Sequence, residues 1–149
     1  SNGLQFVVRG IEPLQHLDCG WGGRHGASER GDPEERLRDI VHWGDRIAHY
    51  IEGLSYEAFL VDTRTQDAVI RCLEVVGEAA GEVLRLDSEF ETRHPTIALA
   101  AAYRARNRTA HGYGSVDLAT IWRSATVSAP LMVFEIRALL SGGLGSFGA

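Results

Sequence analysis

The sequence predicts an all-α fold, an antiparallel four-helix bundle with short extra helices. Three observations carry this. Long stretches place apolar residues three and four apart, the period of one helix face. Capping residues stand where those stretches begin. Glycine and proline stand where they end or bend. At 149 residues with 44% hydrophobic content, the chain suits one domain with a modest core.

Residues 1–31 differ from the rest of the chain. They hold seven glycines and no sustained period. Ser1-Asn2-Gly3 resembles a cleavage scar from recombinant expression, and Gln5-Phe6-Val7-Val8 suits a short strand. This stretch is expected to be an extension with little regular structure. The bundle is expected over 32–140.

The first helix begins at Asp32-Pro33-Glu34-Glu35. Asp32 can cap the free backbone N–H groups, Pro33 suits the first helical position, and the glutamates favour the positive end of the dipole. Leu37, Ile40, Val41, Gly44, Ile47, Ala48 and Ile51 form its apolar face, and Gly53 suits its end. Ser55 caps a short turn over 56–60. A second long helix runs from Thr63 to Leu86, with Val69, Cys72, Leu73, Val76, Ala79, Ala80, Val83 and Leu84 as its stripe. Gly77 and Gly81 lie four apart beside that stripe. Each costs about 1 kcal/mol against Ala in a helix interior, so they point to a close approach by another helix. Ser88-Glu89-Phe90-Glu91 reads as a capping box for a short helix ended before Pro95.

A third helix is expected from Pro95 into an arginine-rich segment, broken by Gly112 and Gly114. Asp117 caps a fourth, from Leu118 to Leu140. Its buried face holds Leu118, Ile121, Trp122, Ala125, Met132, Ile136 and Leu139, with a kink at Pro130. Residues 141–149 read as a flexible Gly-rich tail.

Net charge is -5, yet from Thr92 to Ser115 there is no Asp or Glu, while Arg104, Arg106 and Arg108 fall within that window. An acidic chain of this kind does not coat nucleic acid non-specifically, but it can carry a small cationic cleft. All 15 basic residues are Arg, the fork donor suited to phosphate and carboxylate. Cys19 and Cys72 form no metal or redox spacing, and the histidines no metal-ligand spacing, so neither metal nor cofactor is expected. No apolar run approaches the roughly 20 residues of a membrane span. A cytoplasmic protein with free thiols fits.

Imidazole beside guanidinium is what RNA phosphodiester cleavage needs without a metal. His111 can take the 2′-OH proton or give one to the leaving oxygen. Arg106 can hold the phosphate and stabilise its added charge. Five helical steps set Arg106 and His111 about 140° apart, so they cooperate only if the helix ends near Ala110-His111-Gly112. One histidine cannot be acid and base at once; two copies in a dimer can divide the work. On spacing alone, a solvated or carboxylate-paired arginine helix end remains the commoner explanation. Glu74 and Glu78 are candidates to pair with Arg71 or the motif arginines, and Asp39 and Asp67 to orient one of them. Trp43 and Trp122 suit core or dimer interface, and His42 and His49 suit exposure.

Arg106-Asn107-Arg108-Thr109-Ala110-His111-Gly112-Tyr113 resembles the Arg-x(4)-His-x-Tyr motif of HEPN ribonuclease toxins, in the HepT-like branch. Further segments are similar and in order: Arg36–Ile40, Glu52–Phe59, Arg64–Val69, Leu73–Ala80, Arg93-His94-Pro95 and Val116–Trp122. The resemblance implies a HEPN-type bundle forming a homodimer with two motifs facing across a cleft. It implies a metal-independent endoribonuclease that cuts RNA, such as tRNA or mRNA, and leaves a 2′,3′-cyclic phosphate. It implies the toxin of a type VII-like toxin–antitoxin pair, neutralised when a minimal nucleotidyltransferase antitoxin adenylylates Tyr113. By motif position Arg106 and His111 are catalytic and Asn107 supports them; Arg104 and Arg108 are added here as RNA-phosphate contacts. Ala98-Leu99-Ala100-Ala101 replaces a Pro-Trp-Arg-Glu-like run of the family, so packing or partner contacts there should differ. The alternative is a non-catalytic HEPN bundle that binds a nucleotide or a partner protein through the same cleft.

Overall fold

The structure is a computed structural model that describes residues 31–111 and 116–142, with 109–111 by backbone alone. Every regular element among these residues is helical, so the all-α class is correct. Apart from Gly31, the expected extension lies outside the described residues, as do Gly112 to Ser115 and the tail from 143 onward.

Helix α1 spans Pro33–Ile51. The Asp32 carboxylate accepts the Glu34 N–H at 2.9 Å, and Gly53 follows the C-cap with a φ of 71°, which is open to glycine at no steric cost. Leu37, Ile40, Gly44 and Ile47 are buried. Ala48, expected on that face, is exposed. Helix α2 (Tyr56–Val61) is capped by the Ser55 hydroxyl, which accepts the Ala58 N–H at 3.1 Å. It buries Phe59, whose ring packs 5.0 Å from that of Trp122.

Helix α3 (Thr63–Leu86) is the element against which most others pack. Asp62 caps it through both carboxylate oxygens, accepting from the Thr65 N–H and hydroxyl. The expected stripe is buried at Val69, Cys72, Val76, Ala79, Ala80 and Val83 and partly buried at Leu73 and Leu84. Gln66 is also buried, because its amide donates to the Phe59 carbonyl at 2.8 Å.

The next stretch departs from expectation. Helix α4 is one turn, Phe90–Arg93, without a side-chain cap bond of its own, so the capping box does not form. The Asp87 carboxylate accepts the Glu89 N–H at 3.3 Å and pairs with Arg93. Glu91 reaches forward nine residues and accepts the Ala100 N–H at 2.8 Å. Helix α5 accordingly starts at Leu99 and runs to His111, four residues later than a start at Pro95.

The expected fourth helix is a single rod with a register change. Helix α6 (Leu118–Arg123) passes through a π turn at Ser124–Ser128 into α7 (Ala129–Ser141). Pro130 has no N–H to continue the ladder. Just before it, the Ala129 N–H bonds to the Ser124 carbonyl, five residues back, which is the π spacing. The change keeps Ile121, Ala125, Ala129, Met132, Val133 and Ile136 on the buried side. By length and composition alone, Leu118–Ser141 reaches the threshold for crossing a membrane, contrary to the expectation that no stretch does so. Those buried positions, and an ion pair from Arg137 to Asp45 on α1, pack one side of it into the bundle. Where α7 meets α1, a Cβ on Gly44 would stand 2.2 Å from Val133 Cγ2.

A candidate ribonuclease site on helix α5

Two missing side chains bring α5 onto α3. A Cβ on Gly77 would lie 2.3 Å from the Cβ of Arg106 and 2.8 Å from the Ala102 carbonyl oxygen. A Cβ on Gly81 would lie 2.4 Å from the Tyr103 ring. The glycine pair thus does receive a helix, and the residue seated in the Gly77 notch is Arg106. Ala102 packs beside it, so the alanine-rich start of α5 serves the same close approach.

Arg106 is half-buried, and its guanidinium donates to the Asn107 side-chain oxygen at 3.2 Å. This adjacent pair is the part of the predicted site that the described contacts bring together. Arg104 and Arg108 are both exposed. Arg106 and Arg108 line a groove of about 520 Å³ between α3, α5 and the α6–α7 rod; Arg104 does not. The walls include Leu73, Val127 and Leu131, together with the carboxylates of Glu74, Asp117 and Glu135. Glu74 lies 3.7 Å from Arg71, and Glu78 is exposed. Asp117 caps α6, and the Thr120 hydroxyl, donating at 2.7 Å, holds its carboxyl below the usual range.

The α5 backbone stays helical through His111. Five regular steps keep Arg106 and His111 about 140° apart around the axis, within the last turn and a half of the same helix. Tyr113 lies outside the described residues. Asp39 does not orient a motif arginine. It sits on α1, 3.2 Å from Arg36, and burial pushes its carboxyl up. Asp67 is exposed, ten residues and about 15 Å of helix rise from Gly77. His42 and His49 are exposed, as expected. Trp43 and Trp122 pack against the core, and the Arg46 guanidinium lies 4.7 Å over the Trp43 ring. Among the described residues no three His, Cys, Asp or Glu side chains gather into a metal site.

The family model described as "Ribonuclease HepT-like" matches residues 40–138, most of α1 through most of α7. The chain is 32% identical over 97 residues to "Probable ribonuclease HepT" of Thermococcus cleftensis, covering 65% of this chain and 86% of that protein. It is 30% identical over 104 residues to "Putative RNase MJ1216" of Methanocaldococcus jannaschii, covering 70% and 84%. A second protein of that organism, "Putative RNase MJ0125", is 31% identical over 104 residues, covering 70% and 87%. No solved structure gives a significant match. The ordered segments, the helical architecture and these relatives agree: the chain belongs to the HepT-like ribonuclease family.

Proposed function

We propose that this protein is a metal-independent endoribonuclease acting as the toxin of a toxin–antitoxin pair in the cytoplasm. The observation that carries the reading is Arg106, seated in the Gly77 notch with its guanidinium beside Asn107, in a chain of the HepT-like family. In the proposed reaction His111 removes the 2′-OH proton, and that oxygen attacks the adjacent phosphorus. The 5′-oxygen leaves with a proton from a second imidazole, and a 2′,3′-cyclic phosphate remains. Arg106 holds the phosphoryl oxygens and stabilises their added charge, and Arg104 and Arg108 hold neighbouring phosphates.

A homodimer supplies the second histidine. The 140° between Arg106 and His111 on an unbroken helix favours a site completed by another copy. So does an exposed apolar stripe one and two turns apart at Val127, Leu131 and Phe134, which are 55%, 54% and 71% exposed. Patches of this kind mark association surfaces. Regulation is assigned to Tyr113. A nucleotidyltransferase partner would join its phenolic oxygen to the α-phosphate of ATP and release pyrophosphate. The adenylate then sets bulk and negative charge where RNA phosphate must sit.

The test is cleavage by purified variants. Arg106→Ala and His111→Ala should each lose at least about 10²-fold in rate while remaining dimeric; unchanged cleavage by both would remove the proposal. A second reading draws on Glu74, Asp117 and Glu135, which set carboxylates beside Arg106 and Arg108 in the groove wall, a mixed lining that also suits a charged protein partner. In it the bundle is non-catalytic and the groove takes a nucleotide or a partner protein. Saturable nucleotide binding that is lost in the arginine variants, without RNA cleavage by the wild type, would favour it.

A further inference from the structure

Tyr103 is an aromatic residue left 41% exposed on the helix that carries the motif. Its ring fills the space where a side chain at Gly81 would stand: three ring atoms lie 2.4, 2.7 and 3.1 Å from a Cβ built there. The ring therefore rests on the glycine backbone of α3 and keeps part of its surface open to solvent. It precedes Arg106 by three residues and Asn107 by four, about one helical turn of 5.4 Å. Residues three and four apart lie on one side of a helix, so the ring stands about one turn N-terminal of the Arg106–Asn107 pair, at Gly81 where Arg106 is at Gly77, outside the groove that Arg106 lines.

The surroundings are cationic and polar. Arg104 is exposed next to Tyr103, and Arg106 lies one turn on. On α3, Glu82 is tied to Arg85 at 2.8 Å; Glu78, exposed a turn earlier, is outnumbered by the arginines. The exposed apolar stripe, by contrast, belongs to α7 and the π turn. A polyanion with flat faces fits the Tyr103 patch better than an apolar protein surface does.

We propose that Tyr103 is a base-stacking subsite, holding the nucleobase next to the phosphate that Arg106 binds. This rests on the ribonuclease reading above. The chemistry recognised is the π face of an unpaired base, with little preference among bases. Gly81 is the shelf that sets the ring, so the subsite is built from two helices.

The experiment compares two uncleavable probes on the full chain. One is a short 2′-O-methyl oligouridylate, which lacks the attacking hydroxyl. The other is an abasic ribose-phosphate oligomer of equal length and charge, 2′-O-methylated in the same way. Wild type should prefer the oligouridylate. Tyr103→Ala should weaken that binding about 5- to 150-fold and leave the abasic probe unaffected, erasing the preference, whereas Tyr103→Phe should retain it. Gly81→Ala, which displaces the ring without removing it, should reduce the preference in a chain that still folds. Equal binding of the two probes by wild type, or an unchanged preference in Tyr103→Ala, overturns the subsite while RNA cleavage by wild type keeps the ribonuclease reading intact. A changed oligomeric state in Tyr103→Ala with the base preference unaltered also overturns it, assigning the ring to a protein interface. Failure of wild type both to bind the oligouridylate and to cleave RNA removes subsite and reading together.

Discussion

Gly77 and Gly81 look alike in the sequence and are unlike in the fold. The atoms opposing Gly77 are Arg106 Cβ and the Ala102 carbonyl oxygen, which move only if α5 moves. The atoms opposing Gly81 belong to the ring of Tyr103, which can swing towards solvent. Gly77→Ala is therefore expected to destabilise by about 1–3 kcal/mol through overpacking, partly offset by about 1 kcal/mol of helix propensity. Gly81→Ala should be nearer neutral. Denaturant midpoints at equal m value check this ordering, and equal losses for the two would contradict it. The helical glycine pair showed in the sequence that some helix comes close. Which helix it was, and that the catalytic candidate sits in the notch, depends on pairing between residues nearly thirty positions apart, and periodicity carries no such information. Tyr103 is silent in the sequence for the same reason: its meaning depends on what lies beneath the ring.

At the scale of elements, the sequence was most legible where caps are local. Asp32, Ser55 and Asp117 cap the helices they precede, each bonding within three residues. It was least legible at α4 and α5, where Glu91 prefers the Ala100 N–H across the turn to a role in a local capping box. The proline signal at Pro130 was real, but the chain answers it with a π turn that keeps the core side in phase. The caps carry a pH signature. The Thr65 hydroxyl lowers the Asp62 carboxyl and the Thr120 hydroxyl lowers that of Asp117, each from an ordinary value of 3.8. A depressed folded-state pKa gives stability that is present above the unfolded value and is lost as pH falls through the folded one. Asp62→Ala and Asp117→Ala should thus lower Tm at neutral pH, and their gap to wild type should close below pH 3.8. Thermal melts as a function of pH read this directly; a gap that persists in acid would show that the carboxylate charge is not what stabilises the caps.

At the scale of the whole molecule, α3 holds α1 on one side and α5 on another, and the α6–α7 rod closes against α1. This arrangement presents the arginine helix and a groove, and it leaves Val127, Leu131 and Phe134 uncovered. Apolar spacing and caps made the helical class legible in the sequence, and the ordered family segments made the motif so. The uncovered stripe was not, because Val127, Leu131 and Phe134 interleave with the core positions Ala125, Ala129, Met132 and Val133 on the same rod. If this stripe is the dimer surface, Phe134→Asp should yield a folded monomer with at least about tenfold less RNA cleavage, since a composite site is lost while α5 is untouched. Sedimentation velocity with far-UV circular dichroism tests this, and a fully active, dimeric Phe134→Asp protein would place the interface elsewhere.

The most direct test of the central claim is the chemistry of the product ends. Wild-type protein, freed of metal and assayed in excess chelator, should cut RNA and leave 2′,3′-cyclic phosphates, which resist phosphatase until acid opens the ring. Loss of cleavage on chelation, or products ending in a free 3′-hydroxyl, would contradict an arginine–histidine ribonuclease.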